Sequence, residues 1–116
     1  MTFDDGIVMI CNVENAGESG ERPIKRLYPI QELYYAEDTL GITRYYEAIK
    51  AEQLIEAVIS VPDEIVININ QMAVLEDKSQ FQIRMVQKEV DEFGNKILKL
   101  SLERNGEEYE IYSADV

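Results

Sequence analysis

Residues 72–112, MAVLEDKSQFQIRMVQKEVDEFGNKILKLSLERNGEEYEIY, decide the reading of the fold. Short runs of alternating apolar and polar residues are separated there by turn signals, the pattern of strands that bury one face. Asn105-Gly106 is the strongest short hairpin signal in the chain. A two-residue turn at that point sets Leu102 opposite Tyr109, Leu100 opposite Ile111 and Arg104 opposite Glu107. Arg104 and Glu107 attract, while Glu103 and Glu108 then face each other and must lie in solvent. The preceding turn, Asp91-Glu92-Phe93-Gly94, reads as a four-residue loop that pairs Glu89 with Lys96, Met85 with Leu100 and Ile83 with Leu102. Asp77-Lys78 brings Val74 opposite Phe81 and Met72 opposite Ile83. Two hairpins select the same Leu100 and Leu102, so their registers agree on one buried face. The stretch predicts a four-stranded antiparallel meander.

A meander with one apolar face needs a cover, which the N-terminal half must supply. Gly6–Val13 (GIVMICNV) is a short, continuous, β-branched apolar run and predicts a buried strand. Glu14–Pro23 (ENAGESGERP) is rich in Gly, Ser and Asn and predicts a long loop. Ile24–Tyr35 contains Pro29, which demotes it to an edge strand or an irregular segment. Glu37–Gly41 reads as a turn. Ile42, Tyr45 and Ala48 or Ile49 recur at helical spacing, which predicts a short helix over 42–51. Ile55, Ala57, Ile59 and Val61 alternate instead, a strand closed by Pro62 and Asp63. The expected architecture is a single mainly β domain over 1–116, a small antiparallel β-barrel or sandwich carrying one short helix.

Composition narrows the function. The 116 residues suit one domain, and one of that size buries roughly two-thirds of its unfolded surface. The formal net charge is −12, from 23 acids against 11 bases spread along the chain. Such a surface repels phosphate backbones and anionic membranes, so neither stable nucleic-acid binding nor membrane docking is expected. Cys11 is the single cysteine and sits in an apolar run, which predicts a small buried hydrophobe. The acidic opening Met1–Asp5 lacks a charged-then-apolar signal pattern, and no apolar run nears the ~20 residues of a membrane span. A soluble protein made in the cytosol is the expectation.

The chain has no histidine, which removes Ser-His-Asp and Cys-His nucleophile systems and the usual zinc sites. No Gly-rich phosphate loop follows a strand. Among 23 acids some carboxylate pair is inevitable and carries no weight as a hydrolase signal. Asp4, Asp5 and the Asp91 loop could hold calcium weakly, without the spacing of an EF-hand. The expectation is a non-enzyme without cofactor or metal.

Binding residues are therefore the candidates. Seven tyrosines include the doublets Tyr34-Tyr35 and Tyr45-Tyr46, the second beside Arg44. Neighbouring residues point different ways, so one ring of each doublet can pack inward while the other stays accessible. Tyr and Arg favour interface hot spots, although rings that only cap a barrel are equally consistent with the pattern. Glu14, Glu18 and Glu21 in the 14–23 loop form a second candidate surface, against a passive loop. An open strand edge that a partner chain could extend is a third.

Beyond these readings lies a resemblance. Asp38-Thr39-Leu40-Gly41-Ile42-Thr43-Arg44-Tyr45-Tyr46-Glu47-Ala48 resembles the middle of small head-closure (head–tail joining) proteins of long-tailed bacteriophages and prophages of Gram-positive bacteria. So do Ser60-Val61-Pro62, Ala73–Asp77, Phe81–Gln87 and the closing Leu100–Arg104. The similarity covers roughly residues 1–104 in layout, in a pattern of strands and turns. It implies a small β-barrel made in the bacterial host cytoplasm and carried in the virion. Such a protein joins the portal–adaptor ring of its phage, assembles there into a ring, closes the channel and presents a surface to tail proteins. It would be monomeric alone. The 14–23 loop would point into the lumen or clasp a ring neighbour. Another connector or tail subunit, such as a tail-end protein, and an unrelated β-barrel binding module remain alternatives. A barrel for single-stranded nucleic acid would need a basic groove, which the −12 charge opposes.

Overall fold

The computed structural model describes residues 2–15, 17, 20, 24–38 and 55–113. These residues form β1 (Gly6–Asn15), β2 (Lys25–Asp38), β3 (Ala57–Pro62), β4 (Met72–Leu75), β5 (Gln80–Val90), β6 (Lys96–Arg104) and β7 (Glu110–Ile111). All belong to one sheet in the order β1-β4-β5-β6-β3-β2-β7, antiparallel except where β7 meets β2. An additional antiparallel ladder between β1 and β2 joins the ends, so the first six strands form a nearly closed barrel. The fold is all-β, one mostly antiparallel sheet whose hydrogen bonds run nearly all the way round, as in a barrel. No helix occurs among the described residues, and the expected helix over 42–51 lies outside them.

The barrel interior is one apolar cluster. Val8 and Ile10 of β1, Leu33 and Tyr35 of β2, Ile59 and Val61 of β3, Ala73 of β4, Phe81 and Ile83 of β5, and Leu98, Leu100 and Leu102 of β6 fill it. A smaller cluster of Cys11, Leu27, Met72 and Val74, joined by Met9, Val13, Tyr109 and Ile111, forms beside it. Alternate residues of β1 thus serve two cores, which is why Gly6–Val13 is apolar throughout and not alternating. β3 is likewise buried from Val58 to Val61.

The sequence-derived meander is corrected in three places. First, β6 makes no hairpin with residues 107–111. Its two edges are taken by β5 and by β3, which pairs from Ala57–Leu102 to Pro62–Ile97. Residues 107–111 carry Glu107, Glu108 and Glu110, and the hairpin would have set Glu108 against Glu103. The apolar β3 buries far more surface on that edge. The chain turns away at Asn105, whose backbone N–H donates to the Gln80 carbonyl at 3.0 Å and whose side-chain amide donates to the Glu107 carbonyl at 2.5 Å. β7 then pairs parallel to β2, Arg26 with Glu110 and Leu27 with Ile111. Three consecutive strands, not four, make the meander.

Second, Ile83 does face Leu102, but Arg84 is an extra residue in β5, so Met85 meets Ser101, Val86 meets Leu100 and Glu89 meets Ile97. The bulge lengthens the turn to Asp91–Asn95. The Asp91 carboxylate accepts the backbone N–H groups of Phe93 and Asn95, both at 2.9 Å, and Gly94 takes φ 82°. Third, the β4–β5 register is one residue off the expected one: Val74 meets Gln80, Ala73 meets Phe81 and Met72 meets Gln82. The connection Glu76-Asp77-Lys78 has three residues, with Lys78 at φ 71°. A three-residue loop of this kind needs one left-handed position, and the lack of glycine there hid it.

The N-terminal strands are longer than expected. Glu14 and Asn15 extend β1 and pair with Arg26 and Lys25, and the opposite charges of Glu14 and Arg26 suit the ladder. Asn15 Oδ1 accepts the N–H groups of Gly17 at 2.9 Å and Ile24 at 3.1 Å, which draws the ends of the connection together. Pro29 does not break β2. It meets Cys11 at a β-bulge where Ile30 is the extra residue, a position that tolerates proline. Glu37 and Asp38, expected in a turn, also belong to β2 and pair with Ile59 and Val58.

Candidate functional site

The β1–β2 hairpin outruns the barrel it closes. β1 pairs with β4 only over Val8–Cys11, and β2 with β3 only over Ala36–Asp38, while β1 and β2 pair from Gly6–Tyr35 to Asn15–Lys25. Beyond Cys11 the hairpin is an arm reaching roughly 14 Å further, at about 3.4 Å per residue. Residues 109–112 brace it along Arg26–Tyr28. Ile111 and Tyr109 pack with Leu27 and Val13. The Tyr112 N–H donates to the Leu27 carbonyl at 2.8 Å, and the rings of Tyr28 and Tyr112 stack at 5.2 Å. Gln80, buried, holds the brace from the barrel side: its amide donates to the Tyr109 carbonyl at 2.7 Å and accepts the Tyr109 N–H at 2.8 Å. Gln71, also buried, ties the β3–β4 loop to Asn12 at 3.0 Å.

Of the candidate interface residues, Glu14 is exposed near the outer end of the arm. Tyr34 and Tyr35 divide as the doublet pattern anticipates: Tyr34 is 63 % exposed and Tyr35 only 9 %. The buried Tyr35 ring seals one end of the core, where a Cβ placed at Gly6 (φ 152°) would come within 3.0 Å of it. Burial, then the nearby carboxylates Glu37, Glu76, Asp5 and Asp77, push its hydroxyl pKa up. Glu18, Glu21, Arg44, Tyr45 and Tyr46 lie outside the described residues.

Two of the carboxylates considered for calcium, Asp5 and Asp91, are engaged in backbone contacts. Asp5 Oδ2 accepts the Glu37 N–H at 2.7 Å, and Asp91 holds its own turn. Among the described residues no cluster of three or more acidic or cysteine side chains is placed to hold a metal ion. Asp77 accepts from Ser79 through the hydroxyl and the backbone N–H, and both bonds hold its carboxyl below the ordinary range. Stability from a depressed carboxyl is present above the unfolded pKa near 3.9 and is lost as pH falls through the folded value. We therefore expect the Ser79 amide resonance to titrate with a midpoint below that of an ordinary aspartate. A midpoint at or above it would contradict this bond.

Cys11 is fully buried, and desolvation raises its thiol pKa to about 11. A raised pKa favours the folded state below the unfolded value and withdraws that support as pH climbs toward 11. Cys11 is expected to resist an aromatic disulfide reagent at pH 8 and to react at once in denaturant. Fast labelling of the native protein would contradict its burial.

Sequence reasoning missed Val90 and Phe93, both exposed, with Phe93 76 % accessible on the turn fixed by Asp91. Phe93 within a turn sequence was the available signal. Lys99 bonds Asp38 at 3.0 Å and Glu89 at 3.3 Å, tying β6 to β2 and β5; the Asp38 bond chiefly raises its pKa. Arg84 pairs with Glu103 across the second bulge.

No protein-family model matches this chain, and no curated protein matches its sequence.

Proposed function

We propose that this chain is a structural virion protein of a phage head–tail connector. It assembles as a ring on the portal–adaptor complex, closes the channel and joins head to tail, without catalysis. The observation that carries the reading is the pairing of a nearly closed six-stranded barrel with a braced hairpin arm. A barrel without long open edges gives a rigid wall block, and an arm that extends past it can reach a neighbour or a lumen. The segments behind the resemblance support it further. Ala73–Asp77, Phe81–Gln87 and Leu100–Arg104 fall on β4 with its turn, on β5 and on β6, three adjacent strands. The −12 charge suits a channel wall that DNA must pass without adhering.

The genes flanking this one test the reading. Portal, capsid and adaptor genes on one side and tail genes on the other are the expected result. Metabolic or regulatory neighbours would overturn it.

A further inference from the structure

The outer edge of β2 carries backbone groups that the barrel does not use. The Tyr35 carbonyl accepts from the Asp5 N–H at 3.0 Å, and the Glu37 N–H donates to Asp5 Oδ2 at 2.7 Å, so both residues turn their backbone groups toward β1. Alternate residues of a strand address opposite edges. Glu32 and Tyr34 therefore aim theirs away from β1, as Ala36 does where it meets Ser60 of β3. On that side β7 covers only Arg26–Leu27 and β3 only Ala36–Asp38. Among the described residues, no strand pairs with Glu32 or Tyr34 there. The Glu32 carbonyl takes the neighbouring Gln31 side-chain amide at 3.2 Å, a substitute that an incoming strand can displace.

The edge also has a chemical character. Tyr34 and Glu32 are exposed. From Tyr28 to Asp38 the strand carries Glu32, Glu37 and Asp38 and no base, with Asp38 already paired to Lys99 of β6, so Glu32 is the carboxylate beside the open edge.

We propose that the Gln31–Tyr35 edge of β2 is a docking site for an extended, lysine- or arginine-bearing segment of another protein, which adds as a strand. Main-chain bonds to Glu32 and Tyr34 supply affinity, Glu32 selects positive charge, and the Tyr34 ring offers a flat apolar body. A second copy of this chain is disfavoured, because it would set Glu32 and a net charge of −12 against their like. The inference does not depend on the connector reading.

The test uses the full chain and two capped peptides, one alternating lysine with valine and one alternating glutamate with valine. Amide hydrogen exchange is read residue by residue. The lysine peptide is expected to slow exchange at Glu32 and Tyr34 by at least about tenfold, and the glutamate peptide to leave both unchanged. Tyr34→Pro removes an outward N–H without touching the β1 ladder and should abolish the protection. Glu32→Lys leaves the backbone intact, keeps the test open if the proline variant does not fold, and should weaken the lysine peptide about tenfold. Absence of binding by the lysine peptide, equal protection by the glutamate peptide, protection elsewhere, or binding indifferent to both substitutions would overturn the proposal. So would protection that grows with protein concentration alone, which would mean a second copy occupies the edge.

Discussion

Leu100→Ala is expected to lower unfolding free energy by about 4 kcal/mol, toward the upper end of the usual cost of such a truncation. Leu100 is fully buried and lies on the central strand of the barrel wall, facing Ile59 of β3 on one side and Val86 of β5 on the other. The loss combines transfer energy with the cavity left behind. Bulged and laddered strands on both sides cannot collapse into that space, since each would have to slip its register. Domains of this size hold about 5–15 kcal/mol in total, so the variant should sit near its folding threshold. Urea denaturation checks this. A loss below about 1 kcal/mol would mean that the wall relaxes and is not the rigid block described here.

Gln80→Leu is the second large effect, expected at about 2–4 kcal/mol. Leucine is close to glutamine in volume, so the cost is polar. Leucine leaves both the N–H and the C=O of Tyr109 without the partner they have at 2.8 and 2.7 Å. Each unsatisfied group costs about 1–3 kcal/mol when kept from water. The variant should release residues 109–112 from β2 before the barrel unfolds. Loss of amide protection at Tyr112, with protection retained at Leu100, would show it. Uniform loss at both sites would mean that the brace and the barrel are one cooperative unit.

These two residues mark what could be read from the sequence. Leu100 was legible because inward facing along β6 follows from alternation, although neither turn that selected it gave its right partner. The strand ending at Pro62 and the split of Tyr34 from Tyr35 were legible for the same reason, and the buried β1 from its continuous apolar run. Gln80 was not legible. A lone glutamine before Phe81 looks like a strand start, and nothing local shows that it will bind a backbone 29 residues away. The Asn105-Gly106 signal misled because it is local, whereas the choice between β3 and residues 107–111 for one edge of β6 is made by burial over the whole barrel. Bulges at Ile30 and Arg84 cannot be seen in composition, yet each shifts every later pair by one. Part of the candidate interface, Arg44, Tyr45 and Tyr46 with Glu18 and Glu21, falls outside the described residues. The open β2 edge came from the ladder pattern and from no motif.

The connector reading is tested most directly by mixing the purified protein with the portal–adaptor ring that this reading expects to be encoded beside it and imaging the complex by electron cryomicroscopy. The account predicts a further ring of this protein on the tail-facing end of the assembly, with the barrels forming its wall and the β1–β2 arms reaching a neighbour or the channel. Bare portal–adaptor rings at saturating protein would contradict it.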